Sequence, residues 1–163
     1  MSSSEGKSVL VLGGSRGIGA SIVRRFAIDG AKVIFTYLSS PDDARALVAE
    51  TGSKAFRVDS SDRDALIKLI VSLGPLDVLV VNAGILGAGD PLDMPPDDID
   101  RLFRISIHAP YHAAVAAAKI MPDGGRIIFI GSANADRTPL MGLAAYSASK
   151  SALQGMTKGL ARD

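Results

Sequence analysis

Two stretches of this 163-residue chain carry residue types whose spacing suits chemistry. The first is Gly13-Gly14-Ser15-Arg16-Gly17-Ile18-Gly19, directly after the apolar run at 9–12. Glycines so placed permit a tight turn, let the backbone approach a pyrophosphate, and let the next helix pack close to its strand. That helix start would offer free N–H groups and a positive dipole end to phosphates. Gly13, Ser15, Arg16, Gly17, Ile18 and Gly19 are therefore candidate cofactor contacts; the bland alternative is an ordinary strand-to-helix turn. The second stretch is Tyr146-Ser147-Ala148-Ser149-Lys150, with Ser132 upstream. Tyr and Lys at i, i+4 share one helix face. A phenol, pKa about 10, is a poor acid or base at neutral pH, and a nearby ammonium stabilises its phenolate. Ser132 would bond and position the same substrate oxygen.

Other strand ends refine the cofactor. Thr36-Tyr37-Leu38-Ser39-Ser40 contains no Asp or Glu. An acidic residue there would bond the ribose 2′-OH of NAD and repel a 2′-phosphate. Ser39 and Ser40 can instead donate to a phosphate, and Arg16 can pair with it. The expected cofactor is NADP (NADPH), NAD being less favoured; the alternative is that Ser39 caps the helix opened by Pro41. In Val58-Asp59-Ser60, the Asp59 carboxylate accepts from an adenine amino group or caps the helix starting near Asp62. Asn82-Ala83-Gly84 offers small residues for cofactor contact and an amide to brace neighbouring backbone. His108 and His112 flank Pro110 at i, i+4, but no third ligand has metal-site spacing, so no metal is expected. The acidic group Asp97, Asp98 and Asp100 suits a helix start.

The elements that must position these residues alternate. Strands are expected at 9–12, 32–37, 55–58, 76–81 and 126–130, and helices at 16–30, 41–51, 62–73 and 144–162. A long helical pattern at 96–121 contains Pro110, which should kink or divide it. In the first helix Ile18, Ile22 and Phe26 recur on one face. Strand–helix alternation with strands apolar on both faces predicts an α/β fold with a doubly wound parallel sheet. Ligands of such sheets bind at the carboxyl ends of the strands.

Composition bounds the rest. The length suits one domain. With 18 Lys and Arg against 17 Asp and Glu, net charge is +1. That balance argues against nucleic acid or membrane partners held by bulk charge. There is no cysteine, so disulfides, thiolate metal sites and Cys nucleophiles are excluded, and a cytoplasmic setting is expected. Residues 1–8 lack the apolar core of a signal peptide, and no apolar stretch approaches the roughly 20 residues that span a bilayer.

Taken together, the motifs resemble the short-chain dehydrogenase/reductase family. Gly13, Gly17 and Gly19 match its cofactor loop, Asp59 its adenine-contact position, and Asn82-Ala83-Gly84 its sheet-supporting motif. Ser132, Tyr146 and Lys150 match its catalytic Ser, Tyr and Lys. The resemblance implies a Rossmann-like domain from residue 7 onward after a short flexible N-terminus at 1–6. It implies hydride transfer between NADP(H) and a small-molecule carbonyl or alcohol substrate, with Tyr146 and Lys150 also contacting cofactor. Leu12 replaces the family's Thr, and Val81 its frequent second Asn. Ser106 stands where the family places a catalytic Asn that helps hold a water in a proton relay to the Lys, which implies a slowed relay. Segments at 12–20, 97–103, 107–113 and 149–156 are similar to a bacterial, cyclic-di-GMP-binding branch of the family. That likeness implies, as an alternative to catalysis, a signalling role in biofilm dispersal. Family members continue beyond residue 163 with further strands and a substrate lid, so the domain is expected to be C-terminally incomplete relative to them. The fifth strand would then be an unpaired edge, and homo-oligomerisation through small-residue faces at 113–120 and 151–160 is expected.

Overall fold

The computed structural model describes residues 4–163. Five parallel strands form one sheet in the order β3-β2-β1-β4-β5: β1 Ser8–Leu12, β2 Lys32–Tyr37, β3 Lys54–Arg57, β4 Val78–Val81 and β5 Arg126–Phe129. Register sets Val11 beside Phe35 and Val80, and Val81 beside Phe129. The chain first works outward from β1 through β2 to β3, then returns to the other side of β1 with β4. The switch point therefore lies between β1 and β4, where a crevice opens in such sheets.

Side-chain alternation along β1 explains the runs without polar gaps. Leu10 and Leu12 enter one core with Leu79 and Val81, covered by α3 (Arg63–Ser72) and α5 (Ala109–Ala118). Val9 and Val11 enter a second core with Phe35, Val78 and Val80, covered by α1 (Gly17–Ile28) and α2 (Pro41–Thr51). Each such fully buried Leu, Val or Phe contributes about 1.5–3 kcal/mol of transfer free energy. Asp77, just before β4, accepts a hydrogen bond from the Ser8 N–H at 2.8 Å. Its carboxylate thereby ties the start of β1 to its neighbour.

The expected elements are present, with instructive differences. In α1 the buried residues are Gly19, Ala20 and Val23. Ile18 is 63% exposed, and Ile22 and Phe26 are only half-buried. The helix sits too close to the sheet for large side chains, so small residues take the inward stripe. The long pattern divides before Pro110 rather than at it. α4 (Pro96–Phe103) leads into a π-helical stretch, Arg104–His108, and then into α5. Pro110 has no N–H to return to the carbonyl four residues back. The Ala109 N–H instead bonds the Arg104 carbonyl, five residues back. The alanines of α5 expected at an oligomer interface are buried within the chain: Ala113, Ala116 and Ala117 belong to the first core. β3 begins and ends one residue earlier than expected, β4 and β5 are trimmed, and a short 3-10 turn, Ala133–Ala135, follows β5. The last helix, α6, spans Ala144–Leu160. β5 forms one edge of the sheet, with Ile128 42% exposed.

Candidate functional site

The glycine loop leaves β1 and enters α1 in a shape that demands glycine at particular places. Gly13 adopts φ +75°, and a Cβ there would lie 2.8 Å from the Ala83 Cα. A Cβ on Gly19 would lie 2.0 Å from the Gly13 carbonyl oxygen and 2.7 Å from the Asn82 amide nitrogen. Gly17 meets nothing but holds φ +55°, a conformation that costs L side chains about 1 kcal/mol or more. The sequence spacing thus marks three distinct needs. Gly14, absent from the candidate contacts, is equally constrained: its Cβ would lie 2.5 Å from that of Phe35.

Three groups moor the loop. The Gly13 N–H donates to the Thr36 hydroxyl at 3.0 Å, and the Gly14 N–H to the Thr36 carbonyl at 2.8 Å. The Asn82 side-chain amide donates to the Gly13 carbonyl at 2.7 Å, which is the bracing role its position suggested. With the loop so held, no side chain caps the first turn of α1. Its N–H groups and positive dipole end face a cleft of about 450 Å³ at the switch point, a size typical of small-ligand sites.

That cleft gathers most of the expected binding residues: Gly13, Ser15, Arg16 and Ile18 from the loop, Ser39 and Ser40 after β2, Asp59 and Ser60 after β3, and Asn82, Ala83 and Gly84 after β4. Gly17 and Gly19 shape it without lining it. The capping alternatives resolve separately. Asp62, not Asp59, caps α3 by accepting from the Ala65 N–H. One Asp59 oxygen accepts from the Ser61 N–H and hydroxyl, both at 2.8 Å, which leaves its second oxygen for a ligand. Ser40, not Ser39, is the N-cap residue of α2, and its side chain makes no capping bond. Thr36, Tyr37, Leu38, Val58, Ile85, Arg101 and Ile105 also line the cleft. Their places beside strand ends were legible for all but Arg101 and Ile105, which α4 and the π-helical stretch bring in from farther along the chain.

The second constellation stands at the end of β5. α6 is moored to the 132–136 segment: the Ser151 hydroxyl donates to the Ala135 carbonyl at 2.7 Å, and the Gln154 amide to the Asp136 carboxylate at 3.0 Å. Lys150 is buried and donates to the Ile130 carbonyl at 2.9 Å. Burial pulls its pKa below the ordinary lysine value. Its ammonium lies 5.9 Å from the centroid of the half-buried Tyr146 ring. The Ser132 hydroxyl accepts from the Asn134 N–H at 3.2 Å and starts the 3-10 turn. Ser132, Tyr146 and Lys150 do not line the 450 Å³ cleft; they flank its β4–β5 side. Ser106 is 1% exposed, and its hydroxyl has no hydrogen-bond partner among the described residues. His108 and His112 join no cluster of three or more metal-ligating side chains among the described residues.

A parallel α/β sheet with its glycine cradle at the switch point and a Tyr–Lys pair beyond the next strand end is a Rossmann-like architecture of one particular kind. This chain belongs to the short-chain dehydrogenase/reductase family, whose model, described as short chain dehydrogenase, matches residues 7–163. It is 64% identical over 158 residues to the cyclic-di-GMP-binding biofilm dispersal mediator protein of Escherichia coli K12, covering 97% of this chain and 67% of that one. It is 37% identical to versicolorin reductase stcU of Emericella nidulans, covering 98% of this chain and 64% of that one. Among solved structures, BdcA in complex with NADPH superimposes with TM-score 0.96 at 64% identity, over 98% of this chain and 65% of that one. The chain thus spans about two thirds of the length of these relatives.

Proposed function

We propose that this chain carries the cofactor-binding and catalytic residues of an NADPH-dependent reductase acting on a carbonyl compound, or on an alcohol in reverse. The observation that carries the reading is the buried Lys150, held on the Ile130 carbonyl one helical turn from Tyr146, beside the glycine-cradled cleft. The cradle fits a pyrophosphate because Gly13 and Gly19 leave no room for side chains where backbone must be approached. Ser39, Ser40 and Arg16 would hold the 2′-phosphate, and the free oxygen of Asp59 the adenine amino group. The NADPH bound by a 64%-identical structural relative supports the choice of cofactor.

When bound, the nicotinamide would supply hydride. Ser132 would orient the substrate oxygen through its hydroxyl. Tyr146 would give its phenolic proton to that oxygen, and Lys150 would stabilise the phenolate left behind. The Ile130 carbonyl fixes the ammonium at the strand end so that its charge is in place before reaction. Tyr146→Phe should abolish NADPH-dependent carbonyl reduction while leaving NADPH affinity unchanged. Retained turnover in that variant would remove the assignment.

A second reading has its own support in the 64% identity to a cyclic-di-GMP-binding protein. In it, the chain binds cyclic-di-GMP and acts in biofilm dispersal, with little or no catalysis. Calorimetry with cyclic-di-GMP and with NADPH, separately and in competition, discriminates the two; no heat with cyclic-di-GMP excludes this reading. The proposal further places the protein in a bacterial cytoplasm as a homo-oligomer. The lack of cysteine supports the compartment.

A further inference from the structure

The loop that leaves β4 touches three parts of the molecule in turn. Gly84 and Ile85 line the cofactor cleft. A Cβ on Gly87 would lie 3.2 Å from a methyl of the buried Leu102 in α4. Gly89 then meets the approach to α6 backbone to backbone. Its N–H donates to the Gly142 carbonyl at 2.9 Å. A Cβ on Gly142 would lie 3.0 Å from the Gly89 carbonyl oxygen, 3.1 Å from its nitrogen and 3.3 Å from its carbonyl carbon. Gly142 also holds φ +77°, a left-handed turn that glycine makes without steric cost. A left-handed turn and room for a facing backbone are two separate demands on one residue, and glycine meets both.

Gly142 stands four residues before Tyr146. Tyr146 is the third residue of α6 and so lies in the first turn, whose N–H groups have no acceptor within the helix. Leu143 takes the N-cap position and offers no side-chain cap. The side-chain ties of α6 all fall after Tyr146. Thr138 donates to the Ser147 hydroxyl at 3.0 Å, and the bonds of Lys150, Ser151 and Gln154 follow. Ahead of Tyr146 the helix start is held by the burial of Leu143 and by the Gly89–Gly142 bond. We infer that this backbone clasp does for α6 what a capping side chain does for other helices: it fixes the first turn, and Tyr146 with it, against the loop that walls the cofactor cleft. Gly89 and Gly142 are positioning residues. Neither lines the cleft, so their effect falls on the placement of the phenol and not on cofactor binding. That catalytic consequence rests on the reductase reading; the clasp itself does not.

Gly142→Ala should open the clasp, because the atoms its methyl meets are backbone and cannot swing aside. Gly155→Ala, farther along α6 with nothing within 4 Å of the new methyl, is the control. Amide hydrogen exchange, followed by NMR, should find the Gly89 N–H protected in the wild type, a measurement that requires no variant. In Gly142→Ala the Gly89 and Ser147 amides should exchange faster. Ser147 reports the first turn, which its 2.8 Å bond to the Leu143 carbonyl closes. The amides of β1 and β4 should keep their protection, which separates local loosening from global unfolding. Steady-state kinetics should show kcat lowered roughly tenfold or more, as misplacing a reacting group does, with NADPH affinity unchanged. A wild-type Gly89 N–H that exchanges as freely as an unfolded amide would overturn the inference. So would a Gly142→Ala protein with the Ser147 protection, or the kcat, of the Gly155→Ala control. A wild type that reduces no carbonyl removes the reductase reading alone; the exchange rates still decide the clasp.

Discussion

Gly19→Ala probes how the loop and the sheet hold each other. The new methyl would lie 2.0 Å from the Gly13 carbonyl oxygen, where real contacts do not fall below 3.0 Å. The loop must therefore retreat by about an ångström, an overpacking strain of about 2 kcal/mol. The same methyl would lie 2.7 Å from the Asn82 amide nitrogen, which now donates to Gly13. Losing that bond adds about 1 kcal/mol. The sum, about 3 kcal/mol, corresponds to a fall in Tm of ~6–12 °C for a domain of this size. The displaced loop should also weaken NADPH binding by roughly tenfold or more, since tenfold is about 1.4 kcal/mol. Gly155→Ala is the matched control. Gly155 lies on the exposed face of α6 with nothing within 4 Å of its would-be Cβ, so alanine there should stabilise by about 0.5–1 kcal/mol. Thermal unfolding followed by circular dichroism, with NADPH affinity by fluorescence, reads both variants. A Gly19→Ala protein with the Tm and NADPH affinity of Gly155→Ala would refute the claim that close backbone approach dictates this glycine.

Three more outcomes are expected. Arg16→Ala should weaken NADPH binding by roughly tenfold, as for the loss of one exposed charge-assisted hydrogen bond, and leave NADH binding unchanged; equal losses for both cofactors would show that Arg16 does not read the 2′-phosphate. Burial places the folded pKa of Lys150 below its unfolded value of 10.5. Across that window the unfolded chain holds the extra proton, so stability should rise with pH, and denaturant titrations should show this slope flattened in Lys150→Met. Ser106→Asn should raise turnover at saturating substrate without changing NADPH affinity, because an amide reaches farther than a hydroxyl toward a relayed water; unchanged turnover would count against a relay limited by Ser106.

Much of this protein is written locally. The left-handed turns at Gly13 and Gly17, the helix opened by Pro41 and the shared face of Tyr146 and Lys150 each depend on neighbours within a few residues. The apolar runs at 9–12 and 78–81 likewise announce strands covered on both faces, so the α/β class and the family were legible from pattern alone. Packing across long sequence separations decided the rest. Ile18, Ile22 and Phe26 form a persuasive apolar stripe, but the approach of α1 to the Gly13 carbonyl admits only Gly19, Ala20 and Val23 on the inward face. Whether Asp59 contacts a ligand or caps α3 also waited on the fold, in which the Asp62 carboxylate takes the Ala65 N–H and leaves Asp59 out of the cap. Arg101 and Ile105 enter the cleft from α4 and the π-helical stretch after it, a placement that depends on how this segment packs across the sheet end. The sequence alone determined which chemistry is present at each strand end. Only the tertiary structure decided that Ser106, Gly84 and Lys150 meet around one space, since Lys150 stands 66 residues from Gly84 along the chain and its ammonium 3.7 Å from the place that glycine leaves empty.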